Sequence, residues 1–182
     1  LALPTPLVTT DWLADHLGQA GLVVVDASTY LATAGRIARA EFVSGHIAGA
    51  VFADLDWLSD ETSTLPHTFP TVAQFSERMG QLGVSRAAAV VVYDGSGQNF
   101  RAPRLWFMLR AFGHDRVAVL DGGLRKWIAE GRVLEDGEPV TTPARFDASL
   151  DPTYLRDVDA MLALQGDSSA QVADARSVGR FE

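Results

Sequence analysis

The stretch AVVVYDGSGQNFRAPRLWFMLRAFG, residues 89–113, contains three kinds of pattern in direct succession. A short β-branched run, Val90-Val91-Val92-Tyr93, has the composition of a strand buried on both faces. A polar, glycine-bearing loop follows, Asp94-Gly95-Ser96-Gly97-Gln98-Asn99. Pro103 suits the first turn of a helix, and Leu105, Met108, Leu109 and Phe112 then recur at helical spacing until Gly113 stops them. Strand, loop, helix is half of a βαβ unit, and the pattern repeats on either side. Downstream, Val117 to Leu120 reads as a strand that turns at Asp121-Gly122-Gly123 into a helix through Trp127 and Ile128. Upstream, Thr71 precedes a helical face of Val72, Phe75, Met79 and Leu82, and Ala50 to Ala53 reads as a short strand. Leu22 to Asp26 is a further buried strand, preceded by a helix over Asp11 to Leu17 with Thr10 as its cap. The expectation is an α/β domain: a central, mostly parallel sheet flanked by helices.

Composition narrows the function classes. The 182 residues are 47% hydrophobic and 21% charged, ordinary for a globular core. The longest apolar run, Ala87 to Tyr93, falls far short of the roughly 20 residues of a membrane span, and no secretory pattern opens the chain, so a soluble, cytoplasmic protein without a membrane partner is expected. Fifteen basic against 23 acidic side chains give a net charge of −8, which argues against nucleic acid as a partner. There is no cysteine. Disulfides, thiolate metal sites and a cysteine nucleophile are thereby excluded within these residues.

From Gly131 to about Pro152 the periodicity breaks, with Pro139, Pro143 and Pro152 among scattered acids and threonines, as in a linker or a surface-hugging crossover. Leu155 to Leu164 looks helical. Gln171 to Ser177 then resembles Val23 to Ser28 with one residue inserted, a repeat about one domain length later. The expected organisation is a first domain over 7–130, a linker over 131–153 and, over 154–182, the beginning of a second similar domain.

The loop after the central strand has the form of an anion cradle, backbone N–H groups at a helix N-terminus, but it opens with the carboxylate of Asp94. As a dinucleotide fingerprint it fails, because Phe100 stands where the third glycine belongs. Asp54, Asp56 and Asp60 lack the glycine and terminal glutamate of a calcium loop, so no metal is expected, and nothing asks for a cofactor. His16 and His114 read as helix-end histidines. Trp106, Phe107 and Trp127 read as packing residues.

Four motifs in order, EFVSGHIAGAVF (41–52), VVVYDGSGQNFRAPRLW (90–106), AFGHDRVAVLDGGLRKW (111–127) and DARSVGRFE (174–182), resemble the first half of a two-domain rhodanese-family sulfurtransferase. FADLDWLSDETS and FRAPRLWF make the chain most similar to members acting on 3-mercaptopyruvate, with thiosulfate the other donor. The resemblance implies two tandem rhodanese-like domains, of which only the second carries the nucleophilic cysteine. Asp94 stands where that cysteine would be, so the first domain is the catalytically silent copy and the chain stops shortly inside the second. It implies transfer of sulfane sulfur through a cysteine persulfide from a small anionic donor to a thiol, cyanide or thioredoxin, in partnership with the C-terminal catalytic domain. Arg180 matches an arginine that binds the donor's anionic group, or else is a surface arginine. Asp56 and His67 match an acid and a histidine that form a proton relay with a serine beside the cysteine. Alternatively, Asp56 caps the turn at DWLSD and His67 lies in a polar loop between Pro66 and Pro70. His46, in SGHIAG, is expected to tie loop backbone together. Arg101 and Arg104 either face the partner domain's cleft or pair with acids of this one. The competing function is a cysteine-free rhodanese-like binding or scaffold module without activity.

Overall fold

The computed structural model describes residues 1–97, 100–175 and 179, and divides into two compact units, Leu1–Leu150 and Asp151–Glu182. In the first, β1 (Leu7–Val8), β2 (Leu22–Asp26), β4 (Ala50–Phe52), β5 (Ala89–Tyr93) and β6 (Val117–Leu120) form one sheet in the order β1-β6-β5-β2-β4. Every pairing in it is parallel. A smaller antiparallel pair joins β3 (His46–Ile47) to β7 (Leu134–Glu135).

The parallel sheet explains why its strands read as continuous apolar runs: both faces are covered. Val90 and Val92 of β5 lie in one core with Phe75 and Met79 of α3 (Val72–Gln81) and with Leu105, Met108 and Leu109 of α4 (Arg101–Ala111). Val91 and Tyr93 lie in the other, with Leu13 of α1 (Thr10–His16), Phe42 of α2 (Ala38–Ser44) and Trp127 of α5 (Gly123–Ala129). The parallel strands end at one edge, so the loops after Asp26, Phe52, Tyr93 and Leu120 share it. In open α/β sheets that edge is where ligands bind.

One local reading shifts. Helix α1 is capped by Thr9, not Thr10: Thr9 has extended backbone and its Oγ1 accepts from Trp12 N at 3.1 Å, while Thr10 is buried inside the first turn. Helix α3 has a full capping box, in which Thr71 and Gln74 each receive the other's backbone N–H. Strands β1, β3 and β7 span two residues each, too few to establish a period.

Residues 131–150, which lack periodicity, belong to the first unit and lie against its helices. Gly137 N donates to Val43 O at 2.8 Å, Ala144 N to Gly80 O at 2.9 Å and Ser149 N to Phe112 O at 3.0 Å. Phe146 is buried beside Phe75. The close approach requires Gly80, where a Cβ would stand 2.5 Å from Ala144 O. The boundary between units thus falls at 150/151, inside the stretch read as a linker.

The second unit contains a 3-10 turn at Pro152–Tyr154 and α6 (Val158–Ala163), capped by Asp157 through Ala160 N at 2.8 Å. The helix is shorter than the expected span, Leu155 to Leu164. The described part of the supposed repeat strand, residues 171–175, forms no strand.

Candidate functional site

At the carboxyl edge of the sheet, β5 runs directly into Asp94, which is 1% exposed. One carboxylate oxygen accepts from Ser96 N at 2.9 Å and Ser96 Oγ at 2.5 Å; the other accepts from Arg101 N and Ala102 N, both at 3.1 Å. The first amides of α4 are donors without intrahelical partners, and Asp94 supplies the anion they favour. Gly95 N is taken by Ser28 Oγ at 2.7 Å, and Ser28 N by Asp26 Oδ1 at 2.7 Å. The cradle is therefore satisfied by the protein's own groups. A carboxylate completes it electrostatically, but a carboxylate oxygen cannot accept a sulfane sulfur as a thiolate can.

Asp26, at the end of β2, is 1% exposed, and burial pushes its carboxyl up to about 6 from 3.8 despite hydrogen bonds from Ser28 and Tyr93. Burial likewise pushes the Tyr93 hydroxyl well above its ordinary value, with the Asp26 charge adding to the effect. Tyr93 is further tied in by Ile47 N, which donates to its hydroxyl at 3.3 Å.

Beside this loop, Arg36 forms a bidentate pair with Glu41, Nε to Oε1 at 2.8 Å and Nη2 to Oε2 at 2.6 Å. Its guanidinium stacks over the Tyr30 ring at 3.8 Å, and Tyr30 donates to Glu41 at 2.7 Å. Arg36 also reaches Gly95 O at 3.3 Å. With Ser96, Gly97, Leu124 and Arg125, Arg36, Glu41 and Gly95 border a cavity of about 500 Å³.

A second constellation lies on the loop after β4. Asp54, not Asp56, caps the turn there: its Oδ1 accepts from Asp56 N at 2.9 Å and Trp57 N at 3.3 Å. That leaves the Asp56 carboxylate for His67, whose Nδ1 lies 2.8 Å from Asp56 Oδ1. The structure thus brings together two residues eleven positions apart that the sequence analysis singled out. Their side chains are 44% and 66% exposed, in contrast to Asp94. In a neutral imidazole, an Nδ1–H held by Asp56 would put the lone pair on Nε2, the arrangement of an oriented general base. His67 has φ = +57°, and it is the non-glycine residue at positive φ among those described, a conformation costing about 1 kcal/mol.

Arg104, one turn into α4, donates through Nη2 to the His67 carbonyl oxygen. The hydrogen bond that Arg104 makes is to this backbone carbonyl, with the Asp56 carboxylate near enough to favour its charge. Neither this contact nor the Arg36–Tyr30–Glu41 cluster carries a signal in the sequence, because both join residues by tertiary approach. The Asp54 cap had one, the Asp-x-x-Trp spacing. Arg180 lies outside the described residues. His46 is 2% exposed, with Nδ1 2.8 Å from Phe42 O and its ring stacked on Phe42, a structural placement. Among the described residues no group of three or more potential ligands is placed to hold a metal ion.

Comparison with known proteins agrees with this architecture. The rhodanese-like domain matches residues 9–130. A 3-mercaptopyruvate sulfurtransferase of Rattus norvegicus is 43% identical over 97% of the chain and 61% of its own length, and the Homo sapiens enzyme of that name is 44% identical over 96% and 61%. A thiosulfate sulfurtransferase of Gallus gallus is 40% identical, over 100% of the chain and 64% of its own length. Among solved structures, the SseA 3-mercaptopyruvate sulfurtransferase of Escherichia coli superposes with a TM-score of 0.90 at 38% identity, over 97% of this chain and 68% of that one. The chain spans about three fifths of the length of the curated relatives it matches. With a five-stranded parallel sheet, a cradle loop after its central strand and a domain match across two thirds of its residues, the chain belongs to the rhodanese family.

Proposed function

We propose that this chain is the non-catalytic first domain, with the beginning of the second, of a cytoplasmic sulfurtransferase that moves sulfane sulfur from 3-mercaptopyruvate, or thiosulfate, to a thiol, cyanide or thioredoxin. The observation that carries the reading is the contrast at the sheet edge: a cradle filled by the Asp94 carboxylate, and an exposed His67–Asp56 pair held ready beside it in sequence order. The nucleophile, a cysteine thiolate, belongs to a second domain. It attacks the donor sulfur, becomes a persulfide and passes the sulfur on. Arg180 binds the donor's anionic group, for which a guanidinium fork is suited.

The chemistry of the two donors gives the pair its role. Cleaving the carbon–sulfur bond of 3-mercaptopyruvate leaves the electron pair on carbon, which must take up a proton to become pyruvate. Cleaving the sulfur–sulfur bond of thiosulfate leaves sulfite, which needs none. His67, oriented by Asp56, supplies or relays that proton.

In the complete sulfurtransferase, His67→Gln is expected to slow turnover of 3-mercaptopyruvate by about 100-fold while changing thiosulfate turnover far less. Equal losses on both donors would remove the pair from proton transfer. Sulfur transfer by the 182-residue chain alone would overturn the division of labour, since it contains no cysteine. That same absence favours a second reading, a rhodanese-like binding module, which would replace the first if the complete gene product also lacked a cysteine.

A further inference from the structure

His67 is held from α4 as well as by its own loop. Of the two residues that bracket it in sequence, Pro66 has no N–H, and Thr68 accepts from Asp60 N at 3.2 Å through its carbonyl while its hydroxyl is buried without a hydrogen-bond partner. Further fixed points come from across the fold. Two residues on, the Phe69 ring packs against Phe107 at 5.9 Å and Phe112 at 5.8 Å, one on α4 and one at its end. The His67 carbonyl receives the Arg104 guanidinium, also from α4. A peptide at φ = +57° turns its carbonyl away from the direction an extended residue would give it, and Arg104 is what meets that carbonyl.

We propose that Arg104 is a positioning residue of the sulfurtransferase: by holding the His67 carbonyl it fixes the left-handed backbone that aims the imidazole Nδ1 at Asp56. The proposal rests on the reading of His67 as the proton-handling group for its consequence in catalysis, but not for its structural content. Arg104 is half-buried, and burial works against its charged form, with Arg101 adding to the effect and Asp56 opposing it. A guanidinium's planar fork is pre-organised, so little is lost per hydrogen bond it forms. Arg101, three residues earlier on the same helix, offers the control: its backbone N–H is bound to Asp94.

The chain depends on Asp94 for the start of α4, so the same helix that closes the cradle also carries the clamp on His67. The Nδ1–H tautomer of a neutral histidine is the minor form in water, so a raised Nδ1–H fraction at His67 would be a direct reading of the Asp56 hydrogen bond.

The test uses this chain, labelled with ¹⁵N, and three variants. In the parent, the His67 imidazole nitrogens should show the Nδ1–H pattern, and the His67 HN–Hα coupling should be that of a left-handed residue. Arg104→Met, which keeps the apolar stem and loses the donors, is expected to reduce the Nδ1–H fraction by at least threefold and to shift the coupling. Arg104→Lys, whose ammonium still reaches the carbonyl, should restore the parent pattern to within about twofold, and Arg101→Met should leave it unchanged. In the complete enzyme, Arg104→Met should lower kcat for 3-mercaptopyruvate about 10-fold with little change in KM. Unchanged His67 signals in Arg104→Met would overturn the proposal. His67→Gln separates the two ideas: full activity in that variant would remove the relay, whereas the clamp is decided by the nitrogen signals alone.

Discussion

The two loops at the carboxyl edge of the sheet treat their acids in opposite ways. The loop after β5 seals its carboxylate: Asp94 is 1% exposed, and its oxygens meet three backbone N–H groups and a hydroxyl. The loop after β4 leaves its carboxylate open: Asp56 is 66% exposed and meets one imidazole. The first arrangement is complete without any ligand, and its product is stability. The second is exposed and has an unfavourable backbone conformation, so it gains little for the fold. The same cradle that would stabilise a thiolate can thus be turned into a helix cap by one carboxylate, while the neighbouring loop presents the exposed His67–Asp56 pair.

Substitutions can break this contrast, starting at the sealed end. Asp94→Ala removes the acceptor from three buried amides at once and should lower the unfolding free energy by about 4 kcal/mol, read from denaturant melts. A loss under about 1 kcal/mol would mean water or another group fills the cradle equally well.

Asp26 gives the sealed side a pH signature. Its folded value of about 6 lies above the ordinary 3.8, so folding favours the protonated form. Its contribution is fully present at low pH and is lost as pH rises through about 6, a change on the order of 3 kcal/mol between pH 4 and pH 7. Asp26→Asn should remove that slope when its melts are subtracted from those of the parent. An unaltered slope would place the titration elsewhere.

The open side should respond weakly in stability. His67→Gly relieves the left-handed strain and is expected to stabilise the fold by up to about 1 kcal/mol while deleting the pair. Destabilisation would show that the imidazole holds the loop together. The smallest effect belongs to Asp56→Asn, within about 0.5 kcal/mol, because an exposed pair contributes little. A large loss there would erase the distinction between the two loops.

Much of the fold was legible because the elements that define it carry strong local patterns. β2, β5 and β6 are apolar runs, and α3 and α4 have apolar faces with a capping box or a first-turn proline. Helix α2 has one buried residue, Phe42, and gave no face to read. The strap over 131–150 gave none because its contacts are scattered: the β3–β7 pair, a lone buried Phe146 and single backbone hydrogen bonds to Val43 of α2, Gly80 of α3 and Phe112 at the end of α4. At the site, Asp56 and His67 were legible only through motif resemblance. That Asp54 does the capping, that His67 is left-handed and that Arg104 clamps it were not.

By itself, the sequence determined the class of fold, the acidic surface and the absence of any thiol among these residues, since each follows from composition or from the period of adjacent side chains. Tertiary structure alone decided which acid is sealed and which is open. That outcome depends on where a carboxylate lies relative to helix amides and loops distant in the chain, and hydrogen-bond geometry of that kind leaves no periodic trace in the order of residues.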